Sequence, residues 1–315
     1  MMPNRDSLYT VGMKATREGV AEKVVLPGPA SKELGEAIAR RLSLPLLPYE
    51  VKVFPDGETR LRFEEKVSGK TVLIVQSTYP PPDHNLFQLL LASHRLSQDG
   101  AKVHAVVPYL AYARQDKEFV AGEVVSLGVV SHLLRSGGVS RLTTVDIHSA
   151  EGLSLFAMPV YSVSAIPSLV SYVKKNFKLN QPVVVAPDFG GSKRSEAFAS
   201  LLQAMFVQLS KKRDRVTGQV KVESSKLEVK GRDVLVVDDI ISTGGTVRAA
   251  GIVLREAGAA RVIAVCSHPL LVGDAMEKLE SAGIREVVGT NTVPSEVSKV
   301  DVSEAVAEHL KTVTE

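Results

Sequence analysis

The chain has 315 residues, 44% of them apolar, enough to bury a large core and to suggest two domains of about 150 residues each. Its 38 basic and 35 acidic residues leave a net charge of only +3, and no aromatic-basic interleaving occurs, so no nucleic-acid partner is expected and anionic small molecules are favoured. The single cysteine, Cys266, excludes an internal disulfide and a cysteine metal cage, and no apolar run reaches the ~18 residues of a membrane span, so a soluble, cytoplasmic protein is expected. Residues 1–22 form an N-terminal extension to which no role is assigned. Residues 24–42 then read as a strand, a Pro/Gly loop and a helix. Strands follow at residues 71–75 and 103–107. The second leads into Tyr112-Ala113-Arg114-Gln115-Asp116, whose polar side chains could reach a ligand or form a solvated turn.

Residues 142–148 predict a short strand ending in His148, where a lone histidine is more often structural than a ligand. At residues 183–202 the strand, loop and helix recur, with Asp188 at the strand's C-terminal end. Asp188 and His148 could hold a hydrated Mg²⁺ between them. Spacing alone makes that pairing weak, because magnesium prefers oxygen. The most informative stretch is residues 234–246, Val-Leu-Val-Val-Asp-Asp-Ile-Ile-Ser-Thr-Gly-Gly-Thr. A buried strand ends in Asp238 and Asp239, and Ser242, Thr243, Gly244, Gly245 and Thr246 then offer hydroxyls and backbone N–H groups at a helix N-terminus, where phosphate is favoured. Acids there would repel phosphate unless they face ribose hydroxyls or Mg²⁺. A lone Asp-Asp is as easily a strand capped by an Asp turn, and the Gly pair with its threonines tips the balance to a sugar-phosphate grip. Cys266, in the next strand-like run, reads as a small core residue.

An internal repeat organises these elements. Residues 24–42 echo 183–202, residues 71–78 echo 233–240, and residues 100–108 echo 258–266, each about 160 positions apart. Two tandem α/β domains with largely parallel sheets follow, at residues 23–165 and 166–315, with the final helix able to pack back on the first domain. Gln76 and Ser77 stand where Asp238 and Asp239 would be. The first half has therefore lost its sugar site and taken another task.

Five motifs in order, Phe54-Pro55-Asp56-Gly57-Glu58, Tyr112-Ala113-Arg114-Gln115-Asp116, Asp146-Ile147-His148, Pro187-Asp188-Phe189-Gly190-Gly191 and residues 236–246, make the chain resemble ribose-phosphate pyrophosphokinases, the phosphoribosyl pyrophosphate synthetases. The resemblance spans residues 24–307 and implies two phosphoribosyltransferase-like domains that move the β,γ-diphosphoryl group of ATP to the 1-hydroxyl of ribose 5-phosphate. It implies that Phe54, Asp56, Glu58, Arg114, Gln115 and Asp116 bind ATP, that His148 and Asp188 lie by Mg²⁺, and that Asp238, Asp239 and residues 242–246 bind ribose 5-phosphate. Lys211 and Arg213 align with a catalytic basic pair on a mobile loop. The resemblance further implies a homo-oligomer in which the segment around Phe54 reaches the adenine from a neighbouring subunit. Ala111, where many relatives carry proline, and the Gly122-Glu123 stretch depart from the best-known branch, look closer to archaeal members, and put regulation by phosphate or ADP in doubt. Two alternatives remain from sequence, a catalytically silent synthetase-associated subunit and a phosphoribosyltransferase.

Overall fold

A computed structural model describes residues 22–213, 220–223 and 228–313, with backbone alone at 210–213 and 220–223. The N-terminal extension lies almost wholly outside the described residues. In chain order the first half comprises β1 (Lys23–Pro27), α1 (Lys32–Leu42), β2 (Tyr49–Val53), β3 (Thr59–Phe63), β4 (Thr71–Val75), α2 (Pro82–Gln98), β5 (Lys102–Val107), α3 (Ser126–Ser136), β6 (Val139–Val145) and β7 (Val160–Val163). The second comprises α4 (Ile166–Asn176), β8 (Val183–Ala186), α5 (Ser192–Leu202), β9 (Met205–Gln208), β10 (Ser210–Arg213), β11 (Val220–Glu223), β12 (Asp233–Ile241), α6 (Gly245–Glu256), β13 (Arg261–Pro269), α7 (Ala275–Ser281), β14 (Ile284–Thr290), β15 (Ser298–Val300) and α8 (Ser303–Thr312). The α/β expectation is borne out. Among the described residues no helix is long and apolar enough to cross a membrane.

Both sheets are wholly parallel, ordered β1-β4-β5-β6-β7 and β15-β14-β13-β12-β8-β9. Read from the other edge, the second order repeats the first, with β8, β12, β13, β14 and β15 standing for β1, β4, β5, β6 and β7. Even the extra strand β9 has a trace in the first half, where Leu46 makes a single parallel bridge to Val25. Each half also inserts one antiparallel hairpin between equivalent sheet strands, β2-β3 between β1 and β4 and β10-β11 between β8 and β12.

Buried strands covered on both faces read as continuous apolar runs, and alternation within those runs assigns each side chain to a layer. Val25, Leu73 and Val75 face one way and Val24, Val72 and Ile74 the other; Val184, Leu235 and Val237 oppose Val183, Val234 and Val236 in the same manner. The first set from each half joins one core with residues of α1, α4, α5 and α8, including Phe198, so the halves share an interior. The other faces are covered separately, by α2 and α3 on one sheet and α6 on the other. α8 returns to α1, where Arg41 Nε donates to Ser303 Oγ at 2.7 Å.

One buried group makes this fold acid-sensitive. His104 on β5 is 5% exposed, with Nε2 2.8 Å from Thr143 Oγ1. Burial, reinforced by the positive charge of Arg141, pushes its pKa down to about 3. Between that value and the unfolded value of 6.5 the unfolded chain binds the extra proton, so stability holds above pH ~6.5 and falls as pH drops through this window. His104→Gln should flatten that acid-side loss, and urea unfolding measured from pH 7 to pH 4 checks it.

Candidate active site

β12 is buried from Asp233 to Ile241, and its Asp238-Asp239 pair falls toward the C-terminal edge of a parallel sheet, where α/β folds bind ligands. A cavity of about 260 Å³ opens there, lined by Arg114 and His148 from the first half and by Asp188, Gly191, Asp238, Asp239 and residues 242–246 from the second. The loop closing it depends on Gly244. Its φ is +73°, and a Cβ there would lie 3.4 Å from the Ala275 carbonyl oxygen and from Leu279. With that turn made, α6 starts at Gly245 and presents the positive end of its dipole to the cavity.

The two acids have different states. Asp238 Oδ1 accepts the Asp239 N–H at 2.9 Å. Burial, then the neighbouring Asp239 charge, pushes the Asp238 carboxyl well above the usual carboxylate range. Burial also acts to raise Asp239, but the His148 hydrogen bond and the Arg194 charge together overcome it and hold Asp239 well below that range. His148 Nδ1 lies 2.6 Å from Asp239 Oδ2, and an Arg194 guanidinium nitrogen lies 3.5 Å from Asp239 Oδ1. The two carboxyls are thus pushed in opposite directions, and Asp239 is the stronger acceptor of the pair. Asp188 Oδ1 accepts the Gly191 N–H at 3.3 Å, which shapes the loop entering α5.

The remaining residues expected from sequence lie elsewhere. Phe54, Asp56 and Glu58 form the tip of the β2-β3 hairpin, outside the cavity lining. There Phe54 N–H donates to the Glu58 carbonyl at 2.8 Å, Glu58 N–H donates to Asp56 Oδ1 at 3.1 Å, and both acids are exposed. Gln115 Nε2 donates to Glu123 Oε2 at 3.2 Å, and Asp116 sits beside Gly152; neither lines the cavity. Lys211 and Arg213 lie on β10, a strand rather than an open loop along its backbone, and their side chains fall outside the described residues. Sequence reading assigned nothing to Arg194. A basic residue in the first turn of a helix opposes the dipole, and that was the available signal.

Two duplicated parallel α/β halves with an anion-binding turn after an Asp pair define a protein of the phosphoribosyltransferase type. Residues 23–138 match the N-terminal domain of ribose phosphate pyrophosphokinase, and residues 162–303 match the phosphoribosyl transferase domain. The chain is 40% identical over 289 residues to a ribose-phosphate pyrophosphokinase of Sulfurisphaera tokodaii, covering 90% of this chain and 99% of that one. It is 38% identical over 284 residues to one of Methanothermobacter thermautotrophicus, covering 90% and 98%. The crystal structure of phosphoribosylpyrophosphate synthetase from Mycobacterium smegmatis matches with a TM-score of 0.83 at 30% identity, covering 92% of this chain and 98% of that one. The chain belongs to the ribose-phosphate pyrophosphokinase family. It is an enzyme, a transferase of nucleotide biosynthesis. The silent-subunit and phosphoribosyltransferase alternatives find no support in these relatives.

Because no L side chain adopts the Gly244 conformation without strain, Gly244→Ala should lower the unfolding free energy by ~1–2 kcal/mol. Urea denaturation of the two proteins gives the number.

Proposed function

We propose that this chain transfers the β,γ-diphosphoryl group of ATP to the 1-hydroxyl of ribose 5-phosphate, giving 5-phosphoribosyl 1-diphosphate and AMP, in the cytoplasm. The observation that carries the site assignment is one cavity holding both the α6 N-terminus and an ionised, buried Asp239. The 5-phosphate suits the N–H groups and hydroxyls of residues 242–246, and the ribose hydroxyls suit Asp239 as acceptor. Arg114, which lines the first-half side of the cavity, would orient the donor's phosphates.

A divalent ion, Mg²⁺ by our reading, would supply charge neutralisation on the transferring phosphates. Among the described residues no group of three His, Cys, Asp or Glu side chains could hold it. That suits an ion that keeps several waters and takes substrate phosphates as ligands. His148 and Asp188 would hold it from the protein side. The His148 contact favours the fit: with Nδ1 engaged by the Asp239 carboxylate, the ring presents Nε2, the arrangement common in metal-bound histidines.

Transfer needs in-line approach of the sugar hydroxyl and cations where charge spreads. We assign those cations to Lys211 and Arg213, at the hairpin next to the second sheet. Their joint replacement by alanine should leave the fold intact and reduce kcat by at least ~10³. AMP release from ATP, with and without ribose 5-phosphate, is the assay. Release that ignores ribose 5-phosphate would sink the proposed reaction, and near-normal turnover of the double variant would sink the assignment of the pair.

We assign Phe54, Asp56 and Glu58, with Gln115 and Asp116, to the adenine and ATP, the hairpin tip serving the cavity of a partner subunit. Its exposure and its place outside its own chain's cavity favour that reading. Subunits carrying Asp56→Ala and Glu58→Ala, and subunits carrying Asp239→Ala, should each be nearly inactive and recover activity when mixed. Hetero-oligomers without recovery would contradict the shared site.

A further inference from the structure

Arg194 leaves the first turn of α5 with its side chain only 14% exposed. The helix is pinned to β12 beside it, because Ser195 Oγ donates to the Val237 carbonyl at 2.9 Å. From that anchored position the guanidinium reaches in two directions. One nitrogen lies 3.5 Å from Asp239 Oδ1, and the other donates to the Ile147 carbonyl oxygen at 3.2 Å. Ile147 directly precedes His148, whose Nδ1 is 2.6 Å from the other Asp239 oxygen. Three residues from two halves of the chain thus close a ring around one carboxylate.

A carboxylate has about four lone-pair directions. His148 takes one on Oδ2, the Asp238 carboxyl takes another, and Arg194 sits against Oδ1 as an ion pair at 3.5 Å, which leaves the carboxylate room for a hydroxyl donor. A carboxylate whose side chain is 6% exposed is stabilised by a cation nearby, and a planar guanidinium reaches it and the neighbouring carbonyl with two separate nitrogens in a fixed geometry. We infer that Arg194 is a positioning residue for the sugar site, holding the Asp239 carboxylate and the His148 peptide in the single arrangement that accepts ribose hydroxyls. It touches no substrate and acts through Asp239. The inference rests on the placement of ribose 5-phosphate proposed above.

The test is calorimetric binding of ribose 5-phosphate to the full chain in four forms: unaltered, Arg194→Gln, Asp239→Asn and both together. Arg194→Gln should weaken binding about tenfold, the scale of coupling between contacting charged groups. In the Asp239→Asn background the same change should cost less than about threefold, because the group it acts through has lost its charge. Equal losses in both backgrounds would overturn the inference, as would a folded Arg194→Gln protein that binds within twofold of the unaltered chain. Should Arg194→Gln fail to fold, Arg194→Lys keeps the charge but cannot hold both acceptors. It should then bind about three- to tenfold more weakly than the unaltered chain; unchanged binding would refute the two-armed role. If Asp239→Asn itself leaves ribose 5-phosphate binding intact, the sugar placement fails, an outcome distinct from failure of the Arg194 role.

Discussion

Everything at the cavity depends on a buried polar seam between the two halves. Ser267 Oγ donates to Asp146 Oδ2, and the same carboxylate oxygen accepts the Ala165 N–H at 3.1 Å. His268 sets Nε2 3.1 Å from the Val145 carbonyl and Nδ1 2.8 Å from Thr292 Oγ1. Burial pushes the His268 pKa down, so the neutral ring carries its proton on Nε2, where the neighbour is an acceptor only. Ser77 Oγ donates to the Thr292 carbonyl at 2.6 Å, completing the seam. The shared apolar core supplies attraction without direction, whereas a satisfied polar network fixes one alignment. That alignment brings His148, two residues beyond Asp146, to Asp239.

The seam joins two halves built on one repeated plan. The two halves share the same strand order and the same hairpin insertion, and the second opens a cavity beside its Asp pair. In the first, Gln76 stands at the position of the first acid, and its Oε1 accepts the Ala30 N–H at 3.0 Å in the loop that follows β1. A Cβ on Gly28 would come within 2.2 Å of that oxygen, so the plug is tightly fitted. The first half instead lends Arg114 and His148 to its neighbour. The two hairpins, topological equivalents, diverged likewise: one carries Phe54, Asp56 and Glu58, the other Lys211 and Arg213.

What was legible in the sequence was local. Apolar runs gave the strands, the repeat gave the two sheets, and the Asp-Asp and Thr-Gly-Gly-Thr stretch gave the cavity, because a strand end, a turn and a helix start are contiguous in the chain. The hairpin residues and the Lys211 and Arg213 pair were legible only through resemblance to a family. The seam and Arg194 were not legible, since Ser267 and Asp146 are 121 residues apart and Arg194 and Ile147 are 47 apart. Nothing in periodicity or spacing pairs such residues. The unequal states of Asp238 and Asp239 were hidden for the same reason, as they follow from burial and from partners brought by the fold.

The halves form one cooperative body, joined by a common core and the seam. Native-state hydrogen exchange in increasing urea measures this directly, read at Val106 on β5 and Val265 on β13, both buried in the shared core. Both amides should exchange through the same global opening, with equal free energies and equal dependence on urea. Two separate openings, one half unfolding while the other stays protected, would contradict it.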